Sequence, residues 1–162
     1  TVQVAIIMGS DSDLPVVEAS FSILDDFGVK YTKNVMSAHR TPHDVMELIK
    51  NSEENGCKVF IAAAGMAAHL AGAVAAHSTK PVIGIPIESG GMGGIDSLLS
   101  TAMMPPGVPV ATVAVGKSGA KNSAILAVQI LATSDEDLAQ KLVEYKQNMR
   151  SEVLEKDKKL NS

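Results

Sequence analysis

The chain has 162 residues, of which 46% are hydrophobic and 20% are charged, a composition typical of one folded domain with a sizeable core. Its net charge of -4 argues against general nucleic-acid binding, which usually needs a basic surface. The single cysteine, Cys57, cannot form an internal disulfide and fits a reducing compartment. No segment offers the ~20 apolar residues of a bilayer span. We therefore expect a cytoplasmic protein with neither membrane nor nucleic acid as a partner.

Five short apolar runs alternate with helical patterns along the chain. The runs predicted to be strands cover residues 2–8, 29–36, 58–64, 81–87 and 108–115. Helical spacing predicts helices ending at Gly28 and Gly56, and others over about 67–77, 120–131 and 136–156. Strands joined by helical crossovers form a parallel sheet covered on both faces. The predicted fold class is α/β, a flavodoxin-like three-layer α/β/α sandwich with a five-stranded parallel sheet and an extra C-terminal helix.

The end of the chain differs from the rest in its charge. Residues 135–162 carry 7 acidic and 6 basic side chains around one apolar stripe, which predicts an amphipathic helix. We therefore divide the chain into a flavodoxin-like domain over residues 1–134 and a C-terminal helix over 135–162, within a single domain overall. Two placements of this helix stay open: it packs on its own domain, or it lies across a neighbouring subunit.

Four polar or glycine-containing segments each follow a predicted strand. In open parallel sheets the ligand crevice lies beyond the carboxyl ends of the strands, where the strand order reverses. The segments that this rule selects are residues 9–13, 37–42, 65–69 and 89–94. We expect the functional site among them.

The first segment, Gly9 to Asp13, joins a strand to a helix. Free N–H groups at a helix start attract anions such as phosphate, and the hydroxyls of Ser10 and Ser12 can donate to phosphate oxygens. Asp13 can accept hydrogen bonds from ribose hydroxyls. The alternative is purely local, with Ser10 or Ser12 capping the helix and Asp13 in its first turn.

The second segment places a histidine beside an arginine. His39 belongs to the residue type that ordinarily titrates near neutral pH, and Arg40 is a fixed cation suited to a phosphate or carboxylate. This pairing favours acid–base chemistry on an anionic substrate. The alternative is an exposed polar turn, in which Thr41 caps the next helix and Pro42 occupies its first position.

The third segment, Gly65 to Leu70, opens a helix with small residues that permit close approach of the backbone to a ligand. His69 is either a substrate contact or a capping and packing residue. No Cys/His cluster has zinc spacing, and no Gly-x-Ser-x-Gly nucleophile elbow is present. From the residues alone, the sequence indicates an anion-binding α/β enzyme that uses histidine acid–base chemistry and no metal.

Several motifs, in order along residues 2–157, resemble the PurE family of N5-carboxyaminoimidazole ribonucleotide mutases. The motifs are Met8-Gly9-Ser10-Asp11-Ser12-Asp13, Ser37-Ala38-His39-Arg40-Thr41-Pro42, Ala67-Ala68-His69-Leu70, Asp96-Ser97-Leu98-Leu99-Ser100, Met104-Pro105-Pro106-Gly107, Pro109-Val110-Ala111-Thr112 and Lys121-Asn122. The resemblance implies a homo-octamer with sites at subunit contacts, a ribonucleotide substrate and no cofactor. It implies conversion of N5-carboxyaminoimidazole ribonucleotide to 4-carboxyaminoimidazole ribonucleotide in purine biosynthesis.

The resemblance also assigns roles by position. His39 would be the general acid and base. The ribose-phosphate part would be bound through the polar residues Ser10, Ser12, Asp13 and Arg40. The residues expected to line the base end are Ser37, Ala38, Gly65, His69 and Leu70.

Two positions depart from the family pattern. The family commonly has a second glycine where this chain has Met66, and a proline where it has Ala71. Two other functions stay open from the sequence. One is the sister enzyme that carboxylates aminoimidazole ribonucleotide directly with carbon dioxide, against which Arg40 and the Ala67–Leu70 stretch both argue. The other is a non-catalytic nucleotide- or flavin-binding module, for which the aromatic content of 3% is low.

Overall fold

The computed structural model describes all 162 residues and contains one five-stranded parallel sheet. The five strands are β1 (Val4–Met8), β2 (Tyr31–Val35), β3 (Val59–Gly65), β4 (Val82–Ile87) and β5 (Ala111–Thr112). The six helices are α1 (Leu14–Asp26), α2 (Pro42–Glu54), α3 (Leu70–His77), α4 (Ile95–Ala102), α5 (Lys117–Ala132) and α6 (Glu136–Leu160). The predicted three-layer α/β fold is confirmed.

Two elements differ from the prediction. The fifth strand pairs with β4 only through Ala111 and Thr112, whereas residues 108–115 were expected to be extended. Pro109 has no N–H to donate, which limits the ladder on that side. Helix α4 is an eight-residue helix that the apolar pattern did not predict.

The sheet is buried because both of its faces are covered by helices. Along β1, Val4, Ile6 and Met8 face one apolar cluster, which includes side chains of α1, α5 and α6. Ala5 and Ile7 face the other cluster, which includes side chains of α2 and α3. Every β1 side chain is therefore buried, which explains why this strand has an unbroken apolar sequence.

The strand order is β2-β1-β3-β4-β5. The chain moves outward from β1 to β2, then crosses back to β3 on the other side of β1. The loops that follow β1 and β3 therefore run to opposite sides and leave a crevice between them. This order places the crevice beside Gly9 and Gly65.

The first half of helix α6 packs against the core, and its second half is exposed. Leu138 is buried, and Leu142 and Tyr145 pack against the same cluster. Every residue from Lys146 to Leu160 is exposed. None of the six helices combines the length and the apolar character needed to cross a bilayer.

Candidate functional site

A cleft of about 570 Å³ lies at the carboxyl ends of β1, β2 and β3. This volume is within the ~300–1,000 Å³ of typical small-molecule sites. Fifteen residues line it: Gly9, Ser10, Ser12, Asp13, Ser37, Ala38, His39, Arg40, Ala64, Gly65, Met66, Ala67, His69, Leu70 and Ser89. All ten residues selected from the sequence are among them. The residues that sequence reasoning did not select individually are Ala64, Met66, Ala67 and Ser89, together with the backbone of Gly9.

Two histidines meet inside the cleft. Nε2 of His39 lies 2.9 Å from Nδ1 of His69, and the two rings are nearly perpendicular, with an angle of 83° between their planes. One ring must carry a proton on the shared nitrogen for this hydrogen bond to form. Both side chains are also exposed to solvent. The pair can therefore exchange protons with a bound molecule.

The turn that carries His39 is held by its neighbours. Ser37 N–H donates to Thr41 Oγ1 at 2.9 Å, and the Thr41 hydroxyl donates back to the Ser37 carbonyl at 3.0 Å. Arg40 N–H donates to Ser37 Oγ at 3.1 Å. The Arg40 guanidinium donates weakly to the Gly9 carbonyl, across from the end of β1. Pro42 begins α2, as expected, although the Thr41 hydroxyl bonds to Ser37 rather than capping that helix.

The loop after β1 forms one turn of 3-10 helix, Asp11–Asp13, which Ser10 caps. Ser10 Oγ accepts from the Ser12 N–H at 3.2 Å and lies 2.9 Å from Ser12 Oγ. The capping alternative thus holds for Ser10, whose hydroxyl still lines the cleft. Gly9 N–H donates to the Ala63 carbonyl, which fixes the loop to β3.

Asp13 is the buried acid of the cleft, with 7% of its surface exposed. Burial raises the pKa of its carboxyl above the ordinary value, and the nearby negative charge of Asp11 acts in the same direction. The Ser10 backbone N–H lowers this pKa and opposes the shift only in part. A buried carboxylate with so little compensation is suited to accept hydrogen bonds from a ligand.

The loop after β3 adopts an unusual backbone conformation at Met66. Its φ of 56° lies in the left-handed region, which costs a non-glycine residue about 1–2 kcal/mol. Its side chain lies over Gly90, where a Cβ atom would come 3.2 Å from Met66 Cγ. Gly65 lets β4 approach closely, because a Cβ there would overlap Ser89 Oγ. The third and fourth segments therefore lie against each other, with Met66 beside Gly90 and Ser89 beside Gly65.

The cleft contains two histidines, one arginine and one buried carboxylate as its ionisable groups. No group of three or more His, Cys, Asp or Glu side chains is placed to hold a metal ion. Another cavity, of about 470 Å³, surrounds Lys80 and Pro109 at the opposite end of β4 and contains none of these groups. The chemistry that the cleft offers is anion binding beside a histidine pair.

The chain matches known proteins over nearly its whole length. The family model described as AIR carboxylase matches residues 3–152. An N5-carboxyaminoimidazole ribonucleotide mutase from Bacillus subtilis is 52% identical over 97% of this chain and 97% of its own length. One from Thermotoga maritima is 51% identical over 98% of this chain and 91% of its own length.

A solved structure agrees with the fold. The crystal structure of Treponema denticola PurE superposes with a TM-score of 0.90, at 31% identity, over 99% of both chains. The matched family model and the two mutases, at about half identity, indicate the same family. The position of the crevice agrees with this assignment. This protein belongs to the AIR carboxylase family.

Proposed function

We propose that this protein is a cytoplasmic isomerase of purine biosynthesis that converts N5-carboxyaminoimidazole ribonucleotide to 4-carboxyaminoimidazole ribonucleotide. The observation that carries the proposal is the hydrogen-bonded pair His39 and His69 in a cleft that also contains the polar loop Gly9–Asp13. The relatives at about half identity bear the name of this mutase, whereas the family model bears that of the carboxylase.

The proposed reaction moves one carboxyl group and one proton. Protonated His39 gives its proton to the N5 nitrogen as the N–C bond of the carbamate breaks and carbon dioxide is released. The C4 carbon of the aminoimidazole then attacks the trapped carbon dioxide, and neutral His39 removes the proton from C4. The histidine returns to its starting state, so the reaction needs no cofactor. Such proton transfer contributes about 10²–10⁴-fold to the rate.

His69 would orient the ring that does this work. Nδ1 of His69 engages Nε2 of His39, and Nδ1 of His39 makes no hydrogen bond within the chain, so that atom would be left for the substrate. A ring held by one hydrogen bond also loses little freedom when the substrate arrives, which favours reaction within the bound complex.

The ribose-phosphate part would bind at the β1 loop. The Ser10 and Ser12 hydroxyls and the Arg40 guanidinium supply donors for phosphate, and the Asp13 carboxylate supplies an acceptor for ribose hydroxyls. The base end would then lie against Ser37, Ala38, Gly65 and Leu70, close to the histidine pair.

A second copy of the chain would complete the site, in the homo-octamer that the family resemblance implies. His39, Arg40 and His69 are exposed in the single chain, although trapped carbon dioxide requires a closed site. Helix α4 and the residue that follows it present Ile95, Leu99 and Met103, which are 58%, 52% and 78% exposed at a spacing of four residues. An apolar stripe of this kind is typical of a protein interface.

A paired activity assay tests the proposal. Purified protein is given either N5-carboxyaminoimidazole ribonucleotide at low bicarbonate, or aminoimidazole ribonucleotide with high bicarbonate, and the carboxylated imidazole product is followed. Turnover of the carbamate at low bicarbonate supports the mutase. Rapid turnover of only the unmodified nucleotide would assign the carboxylase instead. No turnover of either by folded protein would favour a binding module, which an absorbance spectrum would check for flavin.

A further inference from the structure

The segment Met66–His69 links β3 to α3 and carries one of the two site histidines. It contains neither strand nor helix, and Met66 has a left-handed backbone. The one side chain that bonds to its backbone is Ser100, whose Oγ accepts from the Ala68 N–H at 2.8 Å. Ala68 is buried and adjoins His69. The position of His69 therefore depends on a contact from outside its own segment.

Ser100 is itself fixed on α4. Its hydroxyl donates to the Asp96 carbonyl at 2.7 Å, one turn earlier in the helix, which leaves its oxygen lone pairs to accept from Ala68. One turn of the same helix is anchored to the sheet by Ser97, whose hydroxyl is 2.8 Å from the Ile87 carbonyl at the end of β4. A continuous set of hydrogen bonds thus runs from β4 through α4 to the histidine loop.

We propose that Ser100 is a positioning residue for the proton transfer, although its hydroxyl is absent from the lining of the cleft. By holding Ala68, it keeps His69 within 2.9 Å of His39 and so keeps the His39 ring oriented. The inference rests on the proposed function, because it assigns a task within that reaction.

The segment would not hold this shape unaided. The left-handed backbone of Met66 costs about 1–2 kcal/mol, and its side chain is largely exposed beside the facing glycine loop at Gly90. Removing the Ser100 hydroxyl also leaves the N–H of buried Ala68 without its partner, an arrangement that favours movement of the segment. The loss would therefore change the place of His69 more than the fold.

The first test compares three variants. Ser100→Ala removes the hydroxyl, Ser100→Thr retains one, and Ser123→Ala is the control. Ser123 has the same kind of helix-internal bond, at 2.6 Å to the Ala120 carbonyl, but lies in α5 outside the cleft. We expect Ser100→Ala to lower kcat about tenfold with KM changed less than about twofold, because alignment rather than binding is lost. Ser100→Thr should recover most of kcat, and Ser123→Ala should retain it.

A double-mutant cycle with His69 asks whether Ser100 acts through that histidine. If Ser100 acts through His69, adding Ser100→Ala to the His69→Ala variant should lower kcat by less than about a further twofold, because the histidine that Ser100 positions is already absent. Equal losses in both backgrounds would overturn the proposal, as would wild-type kcat in Ser100→Ala.

Hydrogen exchange gives a readout that needs no turnover. In Ser100→Ala, a peptide containing Ala68 should exchange its amide protons at least about tenfold faster, with other peptides unchanged. Unchanged exchange at Ala68, or acceleration throughout the chain, would show that Ser100 does not specifically hold this segment. If the wild type turns over neither nucleotide, the proposed function is wrong, and this measurement alone decides the role of Ser100.

Discussion

Nε2 of His39 and Nδ1 of His69 are 2.9 Å apart, although 30 residues separate them in the chain. His39 follows β2 and His69 follows β3, and β1 lies between these two strands in the sheet. The pair therefore closes over the end of β1, where the Gly9 loop begins. The two histidines and the polar Gly9–Asp13 loop therefore line the same cleft.

We expect His39→Asn to bind substrate and to lose nearly all turnover. Asparagine retains the polar character of the side chain but cannot carry a proton at neutral pH, so the factor of about 10²–10⁴ from general acid–base catalysis is lost. Steady-state kinetics with the carbamate substrate and calorimetric titration with the product measure the two effects separately. His77→Asn, at the exposed end of α3, is the matched control and should behave as wild type. Retention of more than a tenth of wild-type kcat by His39→Asn would contradict the role.

We expect Asp13→Asn to weaken substrate binding and to stabilise the fold at neutral pH. A carboxyl whose pKa is raised in the folded state favours folding below its ordinary pKa of 3.8, and this contribution is lost as pH rises through the raised value. Asparagine removes the cost of burying the carboxylate, so its gain in Tm should be present at pH 7 and vanish in acid. KM should rise about tenfold or more, because a charged hydrogen-bond acceptor is lost.

Melting curves across pH test the Asp13 prediction. Glu47→Gln, on the exposed side of α2, is the control for loss of one acidic group and should follow the wild-type pH profile. If Asp13→Asn has the same Tm as the wild type at neutral pH, burial of the Asp13 carboxylate does not destabilise the fold.

We expect Gly119→Ala to destabilise the protein by about 1–3 kcal/mol or more, because an added methyl group would overlap backbone. The new Cβ atom would coincide with the space of the Ala114 carbonyl, which cannot move as a flexible side chain does. Gly72→Ala is the matched control, since its Cβ would meet only the Met104 side chain, with Sδ at 3.3 Å. That variant should be as stable as wild type or gain about 0.5–1 kcal/mol. Denaturant midpoints decide, and equal midpoints for both variants would contradict the packing argument.

We expect a chain ending at Lys146 to fold and to form smaller assemblies than the full chain. The truncation keeps Leu138, Leu142 and Tyr145, which pack on the core, and removes the fully exposed half of α6. Isolated helical segments of this length are marginal in water, so the exposed half is expected to be covered by a neighbouring subunit. Light scattering gives the mass, and circular dichroism checks the fold. An unchanged number of subunits would remove the intersubunit role of the C-terminal helix.

Much of the sheet could be predicted because its strands carry a strong signal. Val4 to Met8 is apolar throughout, as a strand buried on both faces must be, and it ends at a glycine. The general rule for parallel sheets then placed the candidate segments at one edge. The roles of His39 and Asp13 came from the family resemblance, since the residues alone left open a polar turn for His39 and a place in the first turn of a helix for Asp13.

Helix α4 and the conformation of Met66 could not be predicted from the sequence. With eight residues, α4 is too short to show a clear helical period, and its outward face is apolar rather than polar. Methionine ordinarily avoids the left-handed region, so the residue type at position 66 does not predict this backbone conformation. The Ser100–Ala68 hydrogen bond joins α4 to the segment that contains Met66, so this contact could not be predicted from the sequence either.

The placement of the two histidines after the ends of β2 and β3 links activity to the folding of the sheet. The two histidines cannot form their hydrogen bond until β2 and β3 have paired with opposite sides of β1. Such pairings join distant parts of the chain and are slow steps in folding. Recovery of turnover after dilution from denaturant should therefore lag behind the return of helical signal, which makes catalysis itself a reporter of the completed sheet.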